Sequence, residues 1–335
     1  MVDDASRRTA GLIALDWGTT SFRGWLLDDA GTVVDRVRSA DGTLQVSERA
    51  DSSGERAAAF DAAFARLCGH WLQQRADLPV IAAGMVGSNH GWAEAGYLDV
   101  PADLADLADH LTRVPGTRVH IVPGLRVPGP DPDVMRGEEV QLVGALAETE
   151  RPSTVVLPGT HSKWVDLAGA RVTTFTTAMT GELYGLLLRD SILARLATEP
   201  AGPAGPAGDE VSAAFSRGLD VEAARGDERG LAALLFTART FVMAGRLDGA
   251  DVADYVSGLL VGDEVRHAVR GIPADVVAVC GSRPVASRYR IALERHGATV
   301  RLVDEDAAAR GLWQVALDAA LVPAPATRTT EELLP

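Results

Sequence analysis

One short pattern occurs twice in this 335-residue chain, and it constrains the fold more than any other feature. Residues 16–25 read DWGTTSFRGW and residues 157–165 read LPGTHSKWV, which aligns Gly18-Thr19 with Gly159-Thr160. Each copy begins at the end of an apolar, strand-like run and is followed by further strand-like segments. The repeat predicts two related α/β domains that each start with three strands and offer a glycine- and threonine-containing turn to a common cleft.

The spacing of apolar residues extends this organisation along both halves. In the first half it predicts the order βββαβαβα, with strands at 11–16, 21–27, 32–38, 79–84 and 119–124 and helices at 54–74, 101–113 and about 136–148. In the second half it predicts strands at 154–159, 163–167, 171–177, 275–281 and 298–303, and helices at 181–197, 209–224, 230–246, 250–270, 284–296 and 305–321.

These elements predict an N-terminal domain over residues 11–150 and a C-terminal domain over 151–322. The last helix, 305–321, is expected to pack back toward the first domain. Residues 1–10 and 323–335 are expected to be tails. The segment 199–210 is rich in proline and glycine, which predicts a surface linker.

The formal net charge of −14 excludes several classes of function. Nucleic acids and anionic membrane surfaces attract basic proteins, so neither is an expected partner. The chain has no apolar run long enough to span a membrane, and its first residues lack the apolar core of a secretion signal. Its two cysteines, Cys68 and Cys280, provide no disulfide framework, which favours a cytoplasmic location.

The first turn, residues 16–20, has the chemistry of a phosphate site. Gly18 lets the backbone approach a ligand closely, and the amides and hydroxyls of Thr19 and Thr20 suit an anion. Asp16 ends the preceding strand, where its carboxylate is placed to hold a hydrated Mg²⁺ beside the phosphates.

The second turn, residues 158–163, offers amides and hydroxyls from Gly159 and Thr160. Leu157 stands where Asp16 stands in the first copy, so only the first turn is expected to serve a metal. Lys163 is the single lysine of the chain, and a compact ammonium suits phosphate oxygens. His161 fits either a ligand contact or a hydrogen bond that stabilises the turn.

Five segments together carry a resemblance to a known family: DWGTTSFRGW, AGMVGSNHGWAEAGYLDVP, VMRGEEVQLVGAL, LPGTHSKWV and TGELYGLLLRDSIL. Over about residues 11–320 the chain resembles the 2-dehydro-3-deoxygalactonokinase family of the acetate and sugar kinase/Hsp70/actin superfamily. The resemblance implies a duplicated two-domain actin-like ATPase (ribonuclease H-like) fold with an interdomain cleft. It also implies ATP and Mg²⁺, and phosphorylation of the 6-hydroxyl of 2-dehydro-3-deoxy-D-galactonate in galactonate catabolism.

The resemblance also implies a catalytic base. Sugar kinases of this superfamily place a carboxylate at the start of the connecting helix, where it accepts the proton of the attacking hydroxyl. This selects Glu138, with Glu139 and Asp133 as alternatives. Arg136, beside them, is expected either to meet the carboxylate of the substrate or to pair with an acid.

The remaining expected contacts fall on two loops and a strand. Loop 84–92 is rich in glycine and polar groups, which suits a sugar acid. Its expected contacts are Met85, Gly87, Ser88, Asn89 and Trp92. Trp92 fits a core position equally well. Arg23 is expected to neutralise an anion of the substrate or the phosphates, and Gly281 and Ser282 are expected to contact adenine or ribose.

Two other functions stay open at this point. One is a kinase for another keto-deoxy or aldonic sugar acid. The other is a nucleotide-switched binding protein of the actin or Hsp70 kind, against which the glycine-rich loop 84–92 argues. The expected partners are the small-molecule sugar acid and ATP, and homo-oligomerisation is left open.

Overall fold

A computed structural model of the chain describes residues 10–48, 53–147, 152–198, 211–271 and 276–324. Its contacts divide the chain into two units, Met1–Glu148 with Asp306–Pro335, and Thr149–Glu305. The predicted linker 199–210 and most of the two predicted tails lie outside the described residues. Within the described residues, no helix is long and apolar enough to cross a membrane.

The first unit begins with a three-stranded antiparallel meander, and a short helix follows it. Its elements are β1 (Ala10–Trp17), β2 (Phe22–Asp28), β3 (Val33–Ser39), α1 (Thr43–Ser47), α2 (Ser53–Gln74), β4 (Val80–Ala83), β5 (Tyr97–Asp99), β6 (Ala102–Asp103), β7 (Thr112–Arg113), β8 (Val119–Ile121), β9 (Gly124–Val127), β10 (Asp133–Met135) and α3 (Glu138–Leu146). A 3₁₀ helix over Met85–Gly87 follows β4, and a second covers Leu104–His110.

The main sheet of this unit has the strand order β3-β2-β1-β4-β8-β7. β1 pairs antiparallel with β2 and parallel with β4, so it lies at the centre of the sheet. Residues 12–15 and 80–83 are buried on both faces, as expected for central strands covered on each side. The helix α2 adds Phe60, Phe64 and Trp71 to the core beside these strands.

The helix predicted over residues 101–113 is wrong. The chain forms the two-residue strand β6, the 3₁₀ helix Leu104–His110 and the strand β7, which pairs antiparallel with β8. Leu104 and Leu107 are buried and stand three residues apart, which is the repeat of a 3₁₀ helix. The small sheet β10-β9-β5 was also not predicted, because its strands are only three or four residues long.

The second unit repeats the start of the first and adds helices. Its elements are β11 (Thr154–Leu157), β12 (Ser162–Ala168), β13 (Arg171–Ala178), α4 (Thr180–Asp190), α5 (Ala213–Arg229), α6 (Leu231–Met243), α7 (Val252–Ala268), β14 (Val276–Cys280), α8 (Arg283–Arg295) and β15 (Thr299–Val303). Its strands follow the order β15-β14-β11-β12-β13. β11 pairs antiparallel with β12 and parallel with β14.

The two units therefore share one topology. In each, an antiparallel meander is extended on its first strand by parallel strands, as β3-β2-β1-β4-β8 and as β13-β12-β11-β14-β15. This confirms the predicted α/β fold class, the duplicated actin-like, ribonuclease H-like arrangement.

The last helix, α9 (Ala307–Asp318), belongs to the first unit, where it packs along α3. The two helices approach closely because each has a glycine at the crossing. A Cβ added at Gly144 would overlap the carbonyl oxygen of Ala307, and one at Gly311 would overlap that of Val140.

Candidate active site

In the structure the first turn covers residues 18–21, between β1 and β2. The start of α1 holds it through backbone hydrogen bonds. The carbonyl groups of Gly18 and Thr19 accept hydrogen bonds from the N–H groups of Thr43 and Leu44, at 2.9 and 3.1 Å. Both threonines of the turn are exposed. Because α1 occupies these carbonyls, the exposed side of the turn presents hydroxyl donors to a ligand.

The second turn is held in the same way by α4. The carbonyl of Thr160 accepts from the N–H of Glu182 at 2.9 Å, and Nε2 of His161 lies 2.5 Å from Oε2 of Glu182. Gly159, Thr160 and His161 are all exposed. The hydrogen bond of His161 is the turn-stabilising alternative raised above, and it leaves the other ring nitrogen, Nδ1, for a ligand.

Two glycines that the sequence analysis missed make this arrangement possible. A Cβ added at Gly42 would overlap the carbonyl oxygen of Thr19, and one at Gly181 would overlap that of Gly159. Each glycine lies at the start of the helix that supports its turn. The signal available in the sequence was their matching place, after the third strand of each meander.

Asp16 is the second-last residue of β1 and lies opposite Arg23 on β2 and beside Ala83 on β4. The guanidinium of Arg23 donates to Oδ2 of Asp16 through Nε, at 3.0 Å, and through Nη2. The other oxygen, Oδ1, faces two glycines. A Cβ at Gly84 would lie 3.3 Å from it and one at Gly137 3.9 Å from it.

Both of these glycines have a backbone conformation that side chains disfavour. The φ angle is +94° at Gly84 and +108° at Gly137. A Cβ on Gly137 would also stand 3.1 Å from the Cα of Gly84. The end of β1, the end of β4 and the start of α3 therefore meet around one carboxylate oxygen.

The donor set around Asp16 fits Mg²⁺ better than a metal that needs an all-protein site. Among the described residues, no group of three or more histidines, cysteines or carboxylates could hold a metal ion. Mg²⁺ is commonly held by one or two carboxylates together with water and substrate phosphates. Asp16 supplies one such carboxylate, and the glycines beside its Oδ1 add no side chain that would block an approaching ligand.

The two glutamates at the start of α3 have different environments. Glu138 is half-buried, and its Oε2 accepts from the N–H of Arg136 at 3.0 Å. Glu139 is fully buried, and its Oε2 accepts from the N–H of Gly137 at 2.6 Å. Burial, followed by the charge of Glu138, raises the pKa of Glu139 to about 8. Solvent reaches Glu138 and does not reach Glu139.

Asp133, the third candidate base, lies on β10, where its carboxylate accepts from the N–H of Val134 at 2.7 Å. Arg136 is held by backbone and ring contacts, and its predicted contact with a substrate carboxylate stays a prediction. It donates to the carbonyls of Ala95 and Gly96, at 2.8 and 3.3 Å, and its guanidinium lies over the ring of Tyr97, 4.1 Å from the centroid. Arg136 therefore braces the end of the loop that follows β4.

Two residues of this loop that were predicted to contact the substrate are buried in the structure, and for Trp92 this is the core alternative raised above. Trp92 is buried against Trp17, Phe60 and Phe64, and its indole N–H donates to Asp61 at 3.0 Å. A large aromatic ring recovers more free energy in the core than at the mouth of a loop.

Gly87 is buried as well, and both of its backbone polar groups are used within the loop. Its N–H donates to the carbonyl of Gly84 at 3.0 Å and its carbonyl accepts from Ala95 at 2.9 Å. Met85 and Ser88 are half-buried and Asn89 is exposed, so these three are the predicted contacts that remain accessible.

Lys163 lies on β12 rather than in the turn. It stands opposite Leu157 on β11 and Thr177 on β13, and its Nζ donates to Oγ1 of Thr177 at 2.7 Å. The strand register therefore makes Lys163 the counterpart of Arg23, which stands opposite Asp16 in the first unit. A gapless alignment of the two repeated segments is therefore one residue out after the turn, because the connection between these paired residues is one residue longer in the first copy than in the second.

A cavity of about 310 Å³ lies beside the second turn. It is lined by Gly159, Thr180, Gly181, Tyr184, Ser257, Leu260, Val261, Pro284, Val285, Arg288 and Tyr289. Gly281 adjoins the same turn, since a Cβ there would lie 3.5 Å from the carbonyl oxygen of Pro158. Ser282 caps the start of α8, two residues before the cavity wall begins.

A second arginine beside the first turn was not predicted. Arg38 on β3 stands opposite Arg23, and the two line an open cavity of about 480 Å³ with Ser21 and Ser39. The register of the meander, which the sequence alone left unspecified, brings these cations together.

The duplicated fold and its paired glycine turns are those of the actin-like ATPase class. A family model described as 2-keto-3-deoxy-galactonokinase matches residues 16–315, and the chain belongs to this family of kinases.

Named relatives agree with this assignment. The chain is 38% identical to a probable 2-dehydro-3-deoxygalactonokinase of Rhizobium meliloti (strain 1021), covering 91% of this chain and 99% of the relative. It is 36% identical to the 2-dehydro-3-deoxygalactonokinase of Escherichia coli (strain K12), covering 90% and 95%. A crystal structure of a putative 2-dehydro-3-deoxygalactonokinase from Sinorhizobium meliloti matches with a TM-score of 0.79 at 37% identity, covering 93% of this chain and all of that one.

Proposed function

We propose that the protein transfers the γ-phosphoryl group of ATP to the 6-hydroxyl of 2-dehydro-3-deoxy-D-galactonate. The observation that carries the proposal is the meeting of Asp16, Gly84, Gly137 and Glu138 at one end of the first sheet. Phosphoryl transfer needs positioning and charge stabilisation more than covalent chemistry, and this set of groups supplies both. The kinase names of relatives that align over nine-tenths of the chain support the same substrate.

In this proposal Asp16 would be the residue that holds Mg²⁺. The ion would neutralise charge on the phosphates of ATP. The exposed hydroxyls of Thr19 and Thr20 bind phosphate oxygens, and Gly18 lets the backbone of the turn approach them. Arg23 keeps Asp16 in place through Oδ2 and adds a positive charge beside the turn.

Glu138 is the base. Its carboxylate takes the proton of the 6-hydroxyl as that oxygen forms a bond to the γ-phosphorus. The bond from the γ-phosphorus to the oxygen that bridges it to the β-phosphate breaks, and ADP leaves. Glu138 suits this role because it is half-buried, whereas Glu139 is enclosed by protein.

The sugar acid is proposed to bind in the first unit. Arg23 and Arg38 form a cationic surface for its carboxylate, and Met85, Ser88 and Asn89 lie on the loop after β4 for its hydroxyls. Arg136 contributes indirectly by bracing the end of that loop.

The nucleotide is proposed to use the second unit. Gly159, Thr160 and His161 bind phosphate oxygens, with Lys163 adding charge from the adjoining strand. Adenosine occupies the 310 Å³ cavity, next to Gly281 and Ser282. Because ATP is made and spent in the cytoplasm, a cytoplasmic location is part of the proposal.

The test is an ADP-release assay with a panel of sugar acids at fixed ATP and Mg²⁺. The panel contains 2-dehydro-3-deoxy-D-galactonate, its C4 epimer 2-dehydro-3-deoxy-D-gluconate, and D-galactonate. We expect rapid ADP release with the first compound, slower release with the epimer and background release with D-galactonate.

Each other outcome identifies a rival. Faster release with the epimer or with D-galactonate would mean a kinase for a different sugar acid. ADP release at the same rate with no sugar acid present would favour a nucleotide-switched binding protein.

A further inference from the structure

A buried carboxylate in the second unit has no role in the function proposed above. Glu264 on α7 is 9% exposed. Its Oε1 accepts from the indole N–H of Trp164 at 2.7 Å, and its Oε2 accepts from the hydroxyl of Tyr289 at 2.6 Å. Among the described residues, no ion pair includes this carboxylate. A buried carboxylate held only by neutral donors is costly, so its retention calls for an explanation.

The hydrogen bonds continue from Glu264 to the second turn. The hydroxyl of Tyr289 lies 2.8 Å from Oγ of Ser162, which is fully buried and begins β12 directly after the turn. Thr180, the first residue of α4, and Ser162 also lower the pKa of Glu264 through their hydroxyls, which opposes the effect of burial. One carboxylate thus connects β12, α4, α7 and α8.

The same elements enclose the 310 Å³ cavity beside the second turn. Thr180 and Tyr289 line that cavity themselves, and Leu260, one turn before Glu264 on α7, lines it too. Glu264 does not line this cavity itself; it lines a neighbouring cavity of about 570 Å³ that shares Thr180 and Leu260 with the first. Any shift of Tyr289 or of the start of α4 changes the shape of the cavity and the position of the turn together.

The chemistry of the donors fixes the direction of the chain. Trp164 can only donate, so Oε1 always accepts. An ionised carboxylate also accepts from Tyr289, and Tyr289 then accepts from Ser162. A glutamine at this position keeps its oxygen toward Trp164 and turns its N–H₂ toward Tyr289, which reverses the chain.

We propose that Glu264 is a positioning residue that fixes the second turn against the nucleotide cavity through Tyr289, Ser162 and Thr180. It acts on nucleotide binding and not on the chemical step. The inference rests on the proposed function only in assigning that cavity to the nucleotide.

The test compares Glu264→Gln with the parent protein and with Glu222→Gln. Glu222 is a matched control, because it is a buried carboxylate of the same unit that pairs with Arg266 on α7 and lies outside the chain described here. ATP binding is measured by calorimetry without any sugar acid. The KM for ATP, the KM for the sugar acid, kcat and the thermal midpoint are measured separately.

We expect Glu264→Gln to weaken ATP binding and raise the KM for ATP about tenfold or more, the scale of one lost hydrogen bond to a charged group. The KM for the sugar acid and kcat should stay within about threefold. Glu222→Gln should lower the thermal midpoint and leave ATP binding unchanged. Tyr289→Phe, which cuts the chain without touching Trp164, should weaken ATP binding in the same direction and serves if Glu264→Gln does not fold.

Unchanged ATP binding in Glu264→Gln or in Tyr289→Phe would overturn the inference, as would equal weakening in Glu222→Gln. A failure of the proposed function would give a different result. The parent protein would then bind ATP yet phosphorylate none of the sugar acids.

Discussion

At the scale of single residues, the proposed function makes Asp16 the group on which phosphoryl transfer depends most directly. We expect Asp16→Asn to abolish most turnover, because the amide removes the negative charge that holds Mg²⁺. The fold should be retained, since the amide oxygen can still accept from Nε of Arg23. Steady-state kinetics at saturating Mg²⁺ and circular dichroism check both points.

Asp77→Asn, an exposed change in the same unit, is the control and should match the parent. Turnover of Asp16→Asn near the parent value would exclude the role in metal binding.

Glu138 and Glu139 differ in access, and their variants should differ in rate. A carboxylate that assists proton transfer contributes on the order of 10²–10⁴ in rate, so Glu138→Gln should lower kcat within that range. ATP affinity, measured by calorimetry, should stay within about threefold because Glu138 touches the acceptor and not the nucleotide. Glu139→Gln should have the smaller effect on kcat. A larger loss in Glu139→Gln would reverse the two roles.

Glu139 also predicts a pH dependence of stability. Its pKa is about 8 in the folded protein, against 4.5 as its ordinary value. Between these values the folded state holds a proton that the unfolded chain has released, so the free energy of unfolding falls as pH rises through this window. Glu139→Gln removes this term, so the variant should gain on the parent as pH rises from 5 to 8, by at most about 1.4 kcal/mol per pH unit.

Urea unfolding at several pH values measures that gain. Exposed Glu94→Gln is the control and should track the parent throughout. A constant difference between Glu139→Gln and the parent across the window would show that Glu139 is ionised in the folded protein.

The residues of the site were predictable to the extent that their chemistry is local. Asp16 and the two turns could be found because a carboxylate, a glycine and threonines stand side by side in the chain. The burial of Trp92 and Gly87 could not be predicted, because the sequence does not say which loop residues face the core. Arg38 was missed because its proximity to Arg23 depends on the register of β2 against β3.

At the scale of elements, each phosphate turn relies on a helix start that comes close enough to hold its carbonyls. We expect Gly181→Ala to displace α4 from the second turn, because the added Cβ would overlap the carbonyl oxygen of Gly159. The second turn would then lose its hydrogen bonds to Glu182 of α4. ATP binding should weaken about tenfold or more, which is the scale of one lost hydrogen bond to a charged group.

Gly185→Ala is the control in the same helix, since a Cβ there meets nothing within 4 Å. It should bind ATP like the parent and be more stable by up to about 1 kcal/mol, because alanine favours the helix over glycine. Calorimetry and thermal unfolding of both variants give the comparison. Parent-like ATP binding in Gly181→Ala would mean that the turn does not depend on its contact with α4.

The elements themselves were mostly predictable, because strands and long helices carry their own periodicity. α7 and α8 were predicted within two residues of their observed ends. The sequence predicts an α-helix where the structure has the 3₁₀ helix Leu104–His110. Its acidic residues alternate with apolar ones, and this pattern fits the solvated face of an α-helix as well as a 3₁₀ helix.

At the scale of the whole molecule, the crossing of α3 and α9 joins the two ends of the first unit. We expect Gly144→Ala to force these helices apart, at a cost of about 1–3 kcal/mol. Five of the six tryptophans, Trp17, Trp25, Trp71, Trp92 and Trp313, lie in this unit, so tryptophan fluorescence reports its unfolding. The thermal midpoint by fluorescence should fall, while Gly69→Ala, where a Cβ on α2 meets nothing within 4 Å, leaves it unchanged or higher. An unchanged midpoint in Gly144→Ala would show that the crossing relaxes freely.

The return of α9 to the first unit has a consequence for how the protein is made. A ribosome synthesises residues 10–147 first, yet α3 meets its partner helix only after all of residues 149–305 have emerged. The second unit is continuous in the chain and can complete its fold on the nascent polypeptide, as domains generally do. The unit begun first is thus finished last. Until then the face of α3 around Val140 and Gly144 lacks the helix that covers it in the folded protein.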